Sequence, residues 1–248
     1  MDLNKIVEVN GLSASFDDQE ILSDISFSAY DKQTTVLLGG SGSGKTTTLR
    51  HILGLYSAKK GAIKILGKDI NQLDEKELNQ LYLQMGVFYQ NTGLFSSLTV
   101  GENLTLPLEQ HTNLPDEIIH DIALQKLSLV NLEHTYHMHP SQLSGGMAKR
   151  AALARAIVMD PPMLFCDEPG AGLDPVSLAS LDELINHLKK QLGMAIIMVT
   201  HEVSSIMRIA DRIVFFDEGK VVFEGTLSEA LSSKKEALVN FFDKSRGK

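Results

Sequence analysis

The stretch Gly39-Gly40-Ser41-Gly42-Ser43-Gly44-Lys45-Thr46, followed by Thr47, decides how the rest of the chain is read. Its spacing, G-x-x-x-x-G-K-[ST], is that of a loop that cradles phosphate. Before it, Thr34-Thr35-Val36-Leu37-Leu38 is β-branched and apolar and reads as a buried strand. After it, Leu49, Ile52, Leu53 and Tyr56 recur at helical spacing and predict one face of a helix. The loop therefore joins a strand end to a helix start, the context in which the spacing has chemical meaning. Glycines let main-chain N–H groups approach phosphate oxygens, and the helix N-terminus adds partial positive charge. Lys45 is placed to reach the β- and γ-phosphates, and the Thr46 hydroxyl to ligate Mg²⁺.

Composition narrows the setting of that loop. A chain of 248 residues predicts one large domain or two closely joined lobes, and 43% hydrophobic residues suffice for a core. The net charge of −8 and the lack of a basic run argue against nucleic acid as a partner. Lys59-Lys60, Lys189-Lys190 and Lys234-Lys235 read as solvated pairs. The single cysteine, Cys166, excludes an internal disulfide, and its apolar strand makes it core filler rather than a nucleophile. The opening residues show no secretory pattern, and no apolar run approaches the ~20 residues that span a bilayer.

Further elements follow along the chain. Residues 5–9 and 25–30 read as strands, with Asp17-Asp18-Gln19-Glu20 as a loop between them. Phe16, just before it, is either core packing or a platform for a nucleotide base. Residues 62–66 alternate as a strand, with Ile63 and Ile65 sharing a face. Gln72–Gln84 predicts a helix and Met85–Tyr89 a strand, with Gln90 at its end as a turn residue or a Mg²⁺ ligand. Residues 99–159 predict a mainly helical lobe between two core strands, with Ile118, Ile119 and Ile122 on one helix face. His134, His137 and His139 lack the carboxylate or thiol partners of a metal centre, so they are not assigned one. Leu143-Ser144-Gly145-Gly146-Met147 reads as an N-capped helix start, with Met147, Ala151, Ala154 and Val158 on one face and Pro161-Pro162 as the stop. Its hydroxyl and two glycines make a second phosphate-facing tip, which suits a pair of chains closing each other's sites.

Met163-Leu164-Phe165-Cys166-Asp167-Glu168 reads as an apolar strand that delivers two carboxylates at its end, where ligands bind in open α/β sheets. Asp167 is placed to hold Mg²⁺ and Glu168 to polarise an attacking water. Leu178, Leu181, Ile185, Leu188 and Leu192 then mark a helix stopped by Gly193. Ala195–Val199 predicts a strand ending at Thr200-His201, where an imidazole is placed to sense a γ-phosphate. Residues 212–224 predict a hairpin about Asp217–Lys220, and Thr226-x-x-Glu229 a capping box. Leu238, Val239, Phe241 and Phe242 predict an amphipathic tail that packs on the core or docks on a partner.

In this order, Phe16, the phosphate loop, Gln90, Leu143-Ser144-Gly145-Gly146, Asp167-Glu168, Leu173-Asp174 and His201 resemble the ATP-binding subunit of ABC transporters along nearly the whole chain. The resemblance implies an α/β P-loop core with mixed sheet, an N-terminal antiparallel β part and an inserted helical subdomain. It places the core at about 1–89 and 160–225, the helical part at about 90–159 and a helical tail at 226–248. It implies ATP and Mg²⁺ as cofactors and two ATPs sandwiched in a head-to-tail homodimer. Phe16 would stack adenine; Gly39, Gly40, Ser41, Gly42, Ser43, Gly44, Lys45, Thr46 and Thr47 would hold phosphates. Thr46, Gln90 and Asp167 would serve Mg²⁺. Ser144, Gly145 and Gly146 would reach the other chain's γ-phosphate, and Asp174 would also be a nucleotide-binding residue. Glu168 would be the base and His201 the switch.

Tyr89–Phe95, Leu98–Leu104 and Leu143–Arg155, above all its piece Met147-Ala148-Lys149-Arg150, look like the Mla-type branch, associated with phospholipid traffic between inner and outer membranes. That resemblance implies integral-membrane permease subunits as partners, with a small regulatory subunit and a lipid-binding protein beside them. It puts the chain peripherally on the cytoplasmic face of the inner membrane. Gly170-Ala171-Gly172 departs from the family's hydroxyl-bearing Thr-Ser-Ala, so cross-dimer hydrogen bonds there are not expected. Asp243–Lys248 is shorter than the extension with which some Mla-type relatives clasp a neighbour, so no clasp is expected. The competing readings are a soluble or regulatory ABC ATPase, of the iron–sulfur assembly or cell-division type, and an importer of another substrate.

Overall fold

The computed structural model describes residues 4–16, 19–57 and 62–244. Asp17, Asp18, Lys59, Lys60 and the last four residues of the tail lie outside the described residues, as does the side chain of Phe16. The chain forms two compact units, one built from 1–81 and 195–248 and the other from 82–194. These breaks fall a few residues before 90 and well beyond 159, so the strands flanking the helical lobe group with it.

The first segment contributes β1 (Lys5–Phe16), β2 (Gln19–Tyr30), β3 (Thr34–Gly39), α1 (Lys45–Ile52), β4 (Ile63–Ile65), β5 (Lys68–Asp69) and α2 (Glu75–Tyr82). The middle segment contributes β6 (Met85–Phe88), α3 (Val100–His111), α4 (Asp116–Leu129), α5 (Gly145–Ala156), β7 (Met163–Asp167) and α6 (Pro175–Leu192). The last segment contributes β8 (Ala195–Val199), α7 (Val203–Ile209), β9 (Arg212–Asp217), β10 (Lys220–Thr226), α8 (Leu227–Ser232) and α9 (Glu236–Lys244).

In the first unit, an antiparallel sheet in the order β2-β1-β4-β5 accompanies the run β10-β9-β3-β8, in which β3 pairs in parallel with both β8 and β9. Every residue of β3 and β8 is buried, so both read as continuous apolar or β-branched runs. Phe27 of β2 meets Phe216 of β9 edge-on, with centroids 6.2 Å apart, joining the two sheets into one core. The expected strands at 5–9 and 25–30 are the ends of a much longer hairpin. Register shifts between Val9 and Ser15, with Gly11 and Asp24 at positive φ, break the period-2 alternation and hide the middle of both strands. β4 matches its expected face: Ile63 and Ile65 are buried and Lys64 is exposed. The tail packs on this unit, with Leu238 and Phe242 buried and the Phe241 ring edge-on to Phe215 at 5.5 Å.

In the second unit, β6 and β7 pair in parallel and α3, α4 and α5 supply the helical lobe. The buried stripe of α4 is Ile119, Ala123, Lys126 and Leu127, with Ile118 exposed, so the isoleucine cluster misplaces that face by one residue. Lys126 is buried because its amine bonds to Asp160, just beyond α5. α1 stops at Ile52, short of Tyr56, whose hydroxyl accepts from Arg50 at 3.2 Å. The helix expected over 72–84 is confined to 75–82. Likewise α5 ends at Ala156, well before Pro161, and Val158 is buried beyond it. Gly193 caps α6 as expected.

Two outcomes follow from this framework. The β9–β10 turn holds Glu218 and Gly219 at φ 44 and 73, the two-residue turn that suits twisted strands. A Cβ on Gly219 would sit 2.5 Å from the Ile21 carbonyl oxygen, and the Gly219 carbonyl already accepts from Ser23 N at 2.8 Å. Gly219→Ala is expected to cost about 1–3 kcal/mol in a denaturant titration. Separately, main-chain N–H groups of Thr99 and Thr226 hold the Glu102 and Glu229 carboxyls below their usual range, and a Ser177 hydrogen bond does the same for Asp174. A carboxylate whose folded pKa lies below its unfolded one adds stability above the unfolded pKa and loses it as pH falls through the folded one. The melting temperature should therefore fall on acidification below about pH 4. The combined variant Glu102→Gln, Asp174→Asn, Glu229→Gln should show a shallower slope.

Candidate functional site

The phosphate loop leaves the carboxyl end of β3 and closes into α1. A Cβ on Gly39 would overlap the Phe216 carbonyl oxygen, and one on Gly44, the N-cap at φ 100, would overlap the Leu22 side chain. Glycine is thus required at both hinges of the loop. Gly40 and Gly42, in contrast, face open space, with nothing within 4 Å of where a Cβ would stand. Lys45 is only 8% exposed; its ammonium donates to the carbonyls of Gly39 at 3.0 Å and Gly40 at 2.7 Å and to Ser43 Oγ at 3.3 Å. A cation held by three acceptors, beneath open glycines and at a helix start with no acidic residue in its first turn, suits a polyphosphate. Ser41 is exposed on the loop, while Thr46 and Thr47 are half-buried in the first turn of α1.

His201 belongs to the same unit. Leu37 of β3 is registered with Val199 of β8, so Gly39 and His201 each lie two residues past one registered pair, at the carboxyl ends of neighbouring parallel strands. The imidazole is largely exposed, with Nε2 3.7 Å from Glu202 Oε1. The first unit therefore brings together the phosphate loop and the expected γ-phosphate sensor.

A second parallel pair builds the carboxylate end. Phe88 of β6 is registered with Cys166 of β7, and two residues further on stand Gln90 and Glu168. Asp167 is the last residue of β7; Glu168, expected inside the strand, lies just beyond it at φ 47. A non-glycine residue there, preceding Pro169, is held against its preferred extended backbone. Its carbonyl accepts from Ala171 N at 3.1 Å, which helps fix the turn. Cys166 is fully buried in β7 and burial pushes its thiol up, so it is core filler.

The third cluster is the start of α5. Ser144 caps it, its hydroxyl accepting from Met147 N at 3.3 Å, while Gly145 and Gly146 face open space. Ser144, Gly146 and Met147 line a recess of about 330 Å³ with Leu173, Val176 and Ser177. Asp174 caps α6 there, accepting from Val176 N and Ser177 N at 3.0 and 3.1 Å. At Gly170 the space is filled by Leu178: a Cβ would overlap its side chain.

Three residues with structural weight near the site carry no role in the sequence reading. Lys149 is 7% exposed and donates to the Gln90 carbonyl at 2.5 Å; burial lowers its pKa. Arg155 donates to the Gly93 carbonyl and stacks on Phe95, 4.8 Å from the ring centroid. Asn103, fully buried, accepts from Phe95 N at 2.8 Å and donates to the Thr99 carbonyl at 2.8 Å. A charged residue inside an Ala-rich helix was the available signal for Lys149. The bonds of Lys149 and Arg155 span some sixty residues and are not legible from spacing.

As for a metal, Thr46, Gln90 and Asp167 offer the oxygen donors Mg²⁺ prefers. Among the described residues, no group of three or more His, Cys, Asp or Glu gathers to hold an ion alone. Each of the three side chains suits a dication whose remaining ligands are phosphate oxygens.

Residues 22–171 match the family described as ABC transporter. The chain is 37% identical to the intermembrane phospholipid transport system ATP-binding protein MlaF of Haemophilus influenzae, over 95% of this chain and 89% of that protein. It is also 37% identical to a probable ribonucleotide transport ATP-binding protein, Mkl, of Mycobacterium bovis, over 96% of this chain and 66% of that protein. Among solved structures, it is similar to cbiO1 of Clostridium perfringens, part of the transporter complex cbiONQ. There the TM-score is 0.85 at 29% identity, covering 93% of this chain and 92% of that one. It is also similar to the ATP-binding cassette MJ0796 in a dimeric post-hydrolysis state bound to ADP and Pi. There the TM-score is 0.80 at 28% identity, covering 90% and 99%.

Replacing Lys45 by alanine removes the one ammonium folded into the loop. Lys45→Ala is expected to lose nucleotide binding itself, by at least about tenfold in titration calorimetry, since a hydrogen bond to a charged group contributes about 1.5–3 kcal/mol. An unchanged dissociation constant would remove Lys45 from phosphate binding.

Proposed function

The chain belongs to the ABC transporter family and is an ATPase of that class, and from that premise we propose that it drives a separate membrane permease moving phospholipid between inner and outer membranes. The observation that carries the cargo is the 37% identity to MlaF over nearly the full length of both chains. No helix among the described residues is long and apolar enough to cross a membrane, and the proposed permease supplies the membrane-spanning part. Its place is peripheral, on the cytoplasmic face of the inner membrane.

The roles follow from the chemistry of each cluster. Phe16 stacks the adenine. Gly39 through Thr47 wrap the triphosphate, with Lys45 exchanging loop carbonyls for β- and γ-oxygens. Thr46, Gln90 and Asp167 would hold Mg²⁺, which would neutralise charge on the triphosphate oxygens. Glu168 accepts a proton from water as its oxygen attacks the γ-phosphorus. The bond to the β–γ bridging oxygen breaks, and ADP and phosphate result. General-base assistance of this kind contributes typically about 10²–10⁴ in rate. His201 donates to the γ-phosphate and registers its departure. In a head-to-tail homodimer, Ser144, Gly145 and Gly146 of a second copy supply N–H and hydroxyl donors to the same γ-phosphate, beside the Asp174 loop. ATP then closes the pair, and hydrolysis reopens it. The dimeric state of MJ0796 supports this arrangement.

A second reading keeps the enzyme and changes the cargo: Mkl, named for ribonucleotide transport, is as similar by identity. A gentle detergent pull-down with lipid and protein mass spectrometry separates them. Co-purified phospholipid with a multi-spanning subunit and a lipid-binding protein supports the first reading; a permease free of lipid partners supports another cargo. A soluble cluster-assembly or cell-division partner would overturn transport altogether.

Glu168→Gln keeps the size and the unusual backbone but loses the basic oxygen. It is expected to bind ATP normally, to lose at least about 10²-fold in turnover, and to accumulate as a dimer on size-exclusion chromatography with ATP and Mg²⁺. Undiminished turnover would take Glu168 out of the reaction.

A further inference from the structure

The loop from Tyr89 to Phe95 leaves the end of β6 with Tyr89, Gln90 and Phe95 exposed, yet its main chain is tied from beneath by α5. Lys149 reaches the Gln90 carbonyl at 2.5 Å, with its Nζ 5.9 Å from the centroid of Phe88, the residue before the loop. Arg155, six residues on, holds the Gly93 carbonyl and covers the Phe95 ring. The opposite side of the loop is fixed by Asn103 of α3, which accepts from Phe95 N at 2.8 Å and donates to its carbonyl at 3.1 Å. The ties from α5 engage carbonyls, so they set where the Gln90 side chain departs without using its amide. The helix that supplies them is the one opened by Ser144-Gly145-Gly146.

We propose that Lys149 is a positioning residue for ATP hydrolysis: by gripping the Gln90 carbonyl from within α5, it makes the Ser144-Gly145-Gly146 tip and the Gln90 loop one moving part. Closure of that tip onto triphosphate then carries the Gln90 amide into place, and its withdrawal carries the amide away. A lysine suits the task because its long stem crosses the apolar space beside Phe88 and its ammonium forms a charge-assisted bond to a neutral carbonyl. The proposal rests on the reading of Gln90 as a Mg²⁺ ligand, and the test separates the two.

Lys149→Met keeps the stem beside Phe88 and removes the donor; Lys149→Arg restores one. Hydrogen exchange is read on the nucleotide-free proteins, and turnover is titrated with Mg²⁺ at fixed ATP, with Gln90→Ala alongside. In Lys149→Met, amides at 90–95 should exchange about tenfold faster, the loss of one charge-assisted bond, while β6, β7 and α6 exchange as before. Its half-saturating Mg²⁺ should rise several-fold, and Lys149→Arg should recover both values. Unchanged exchange at 90–95, or a rise shared equally by β6, β7 and α6, overturns the proposal. So does a loosened loop whose Mg²⁺ requirement stays put while Gln90→Ala shifts it. If Gln90→Ala leaves the Mg²⁺ requirement unmoved, the ligand reading of Gln90 fails, and the exchange at 90–95 still decides whether Lys149 holds the loop.

Discussion

A buried ammonium held by main-chain carbonyls is the interaction on which the first unit's chemistry depends. Lys45 sits inside the loop it follows, bonded to the Gly39 and Gly40 carbonyls and the Ser43 hydroxyl. An uncompensated cation at that depth would cost several kcal/mol. The three acceptors offset this cost, and they converge only because the chain turns sharply at Gly39 and Gly44. Those turns are in turn fixed from outside: Phe216 of β9 presses on Gly39, and Leu22 of β2 presses on Gly44. The loop is thus shaped by strands from both ends of the sequence, which is why a short glycine-rich segment can keep one conformation despite its large backbone entropy.

The second unit solves a different problem with the same device, parallel strand ends. β6 and β7 finish level with one another, which puts Gln90 beside the carboxylate end of β7. The turn at Glu168 departs from the backbone a residue before proline prefers. Such strain, of order 1–3 kcal/mol, persists only where surrounding contacts over-determine it, and it aims a side chain that a regular strand would point elsewhere. The packing of Leu178 against Gly170 offers a reason for the missing hydroxyl in that loop: the space a side chain needs there is already taken.

What the sequence made legible followed physical range. The phosphate loop, the caps at Ser144 and Thr226 and the stop at Gly193 depend on neighbours within a few residues, and all stand where expected. β3, β7 and β8 were readable because buried parallel strands are continuously apolar. The middle of β1 and β2 was not, because register shifts scramble the alternation on which the reading depends. The buried face of α4 was misplaced because isoleucine outweighs alanine in any hydrophobic pattern, while packing chose Ala123 and even Lys126. The contacts of Lys149 and Arg155 were illegible for a related reason. Their partners are carbonyls some sixty residues away in sequence, and a carbonyl looks the same on every residue.

Cys166 has a practical consequence. It is the sole cysteine of the chain, lies fully within β7, and burial discourages its ionisation. The folded protein therefore shields its only native sulfhydryl from alkylating reagents, whose target is the thiolate. A cysteine introduced on the surface becomes a unique address for a fluorophore or spin label, with no need to mutate the parent background. The same shielding turns slow alkylation of Cys166 into a clock for how often the strand bearing Asp167 comes apart from its neighbours.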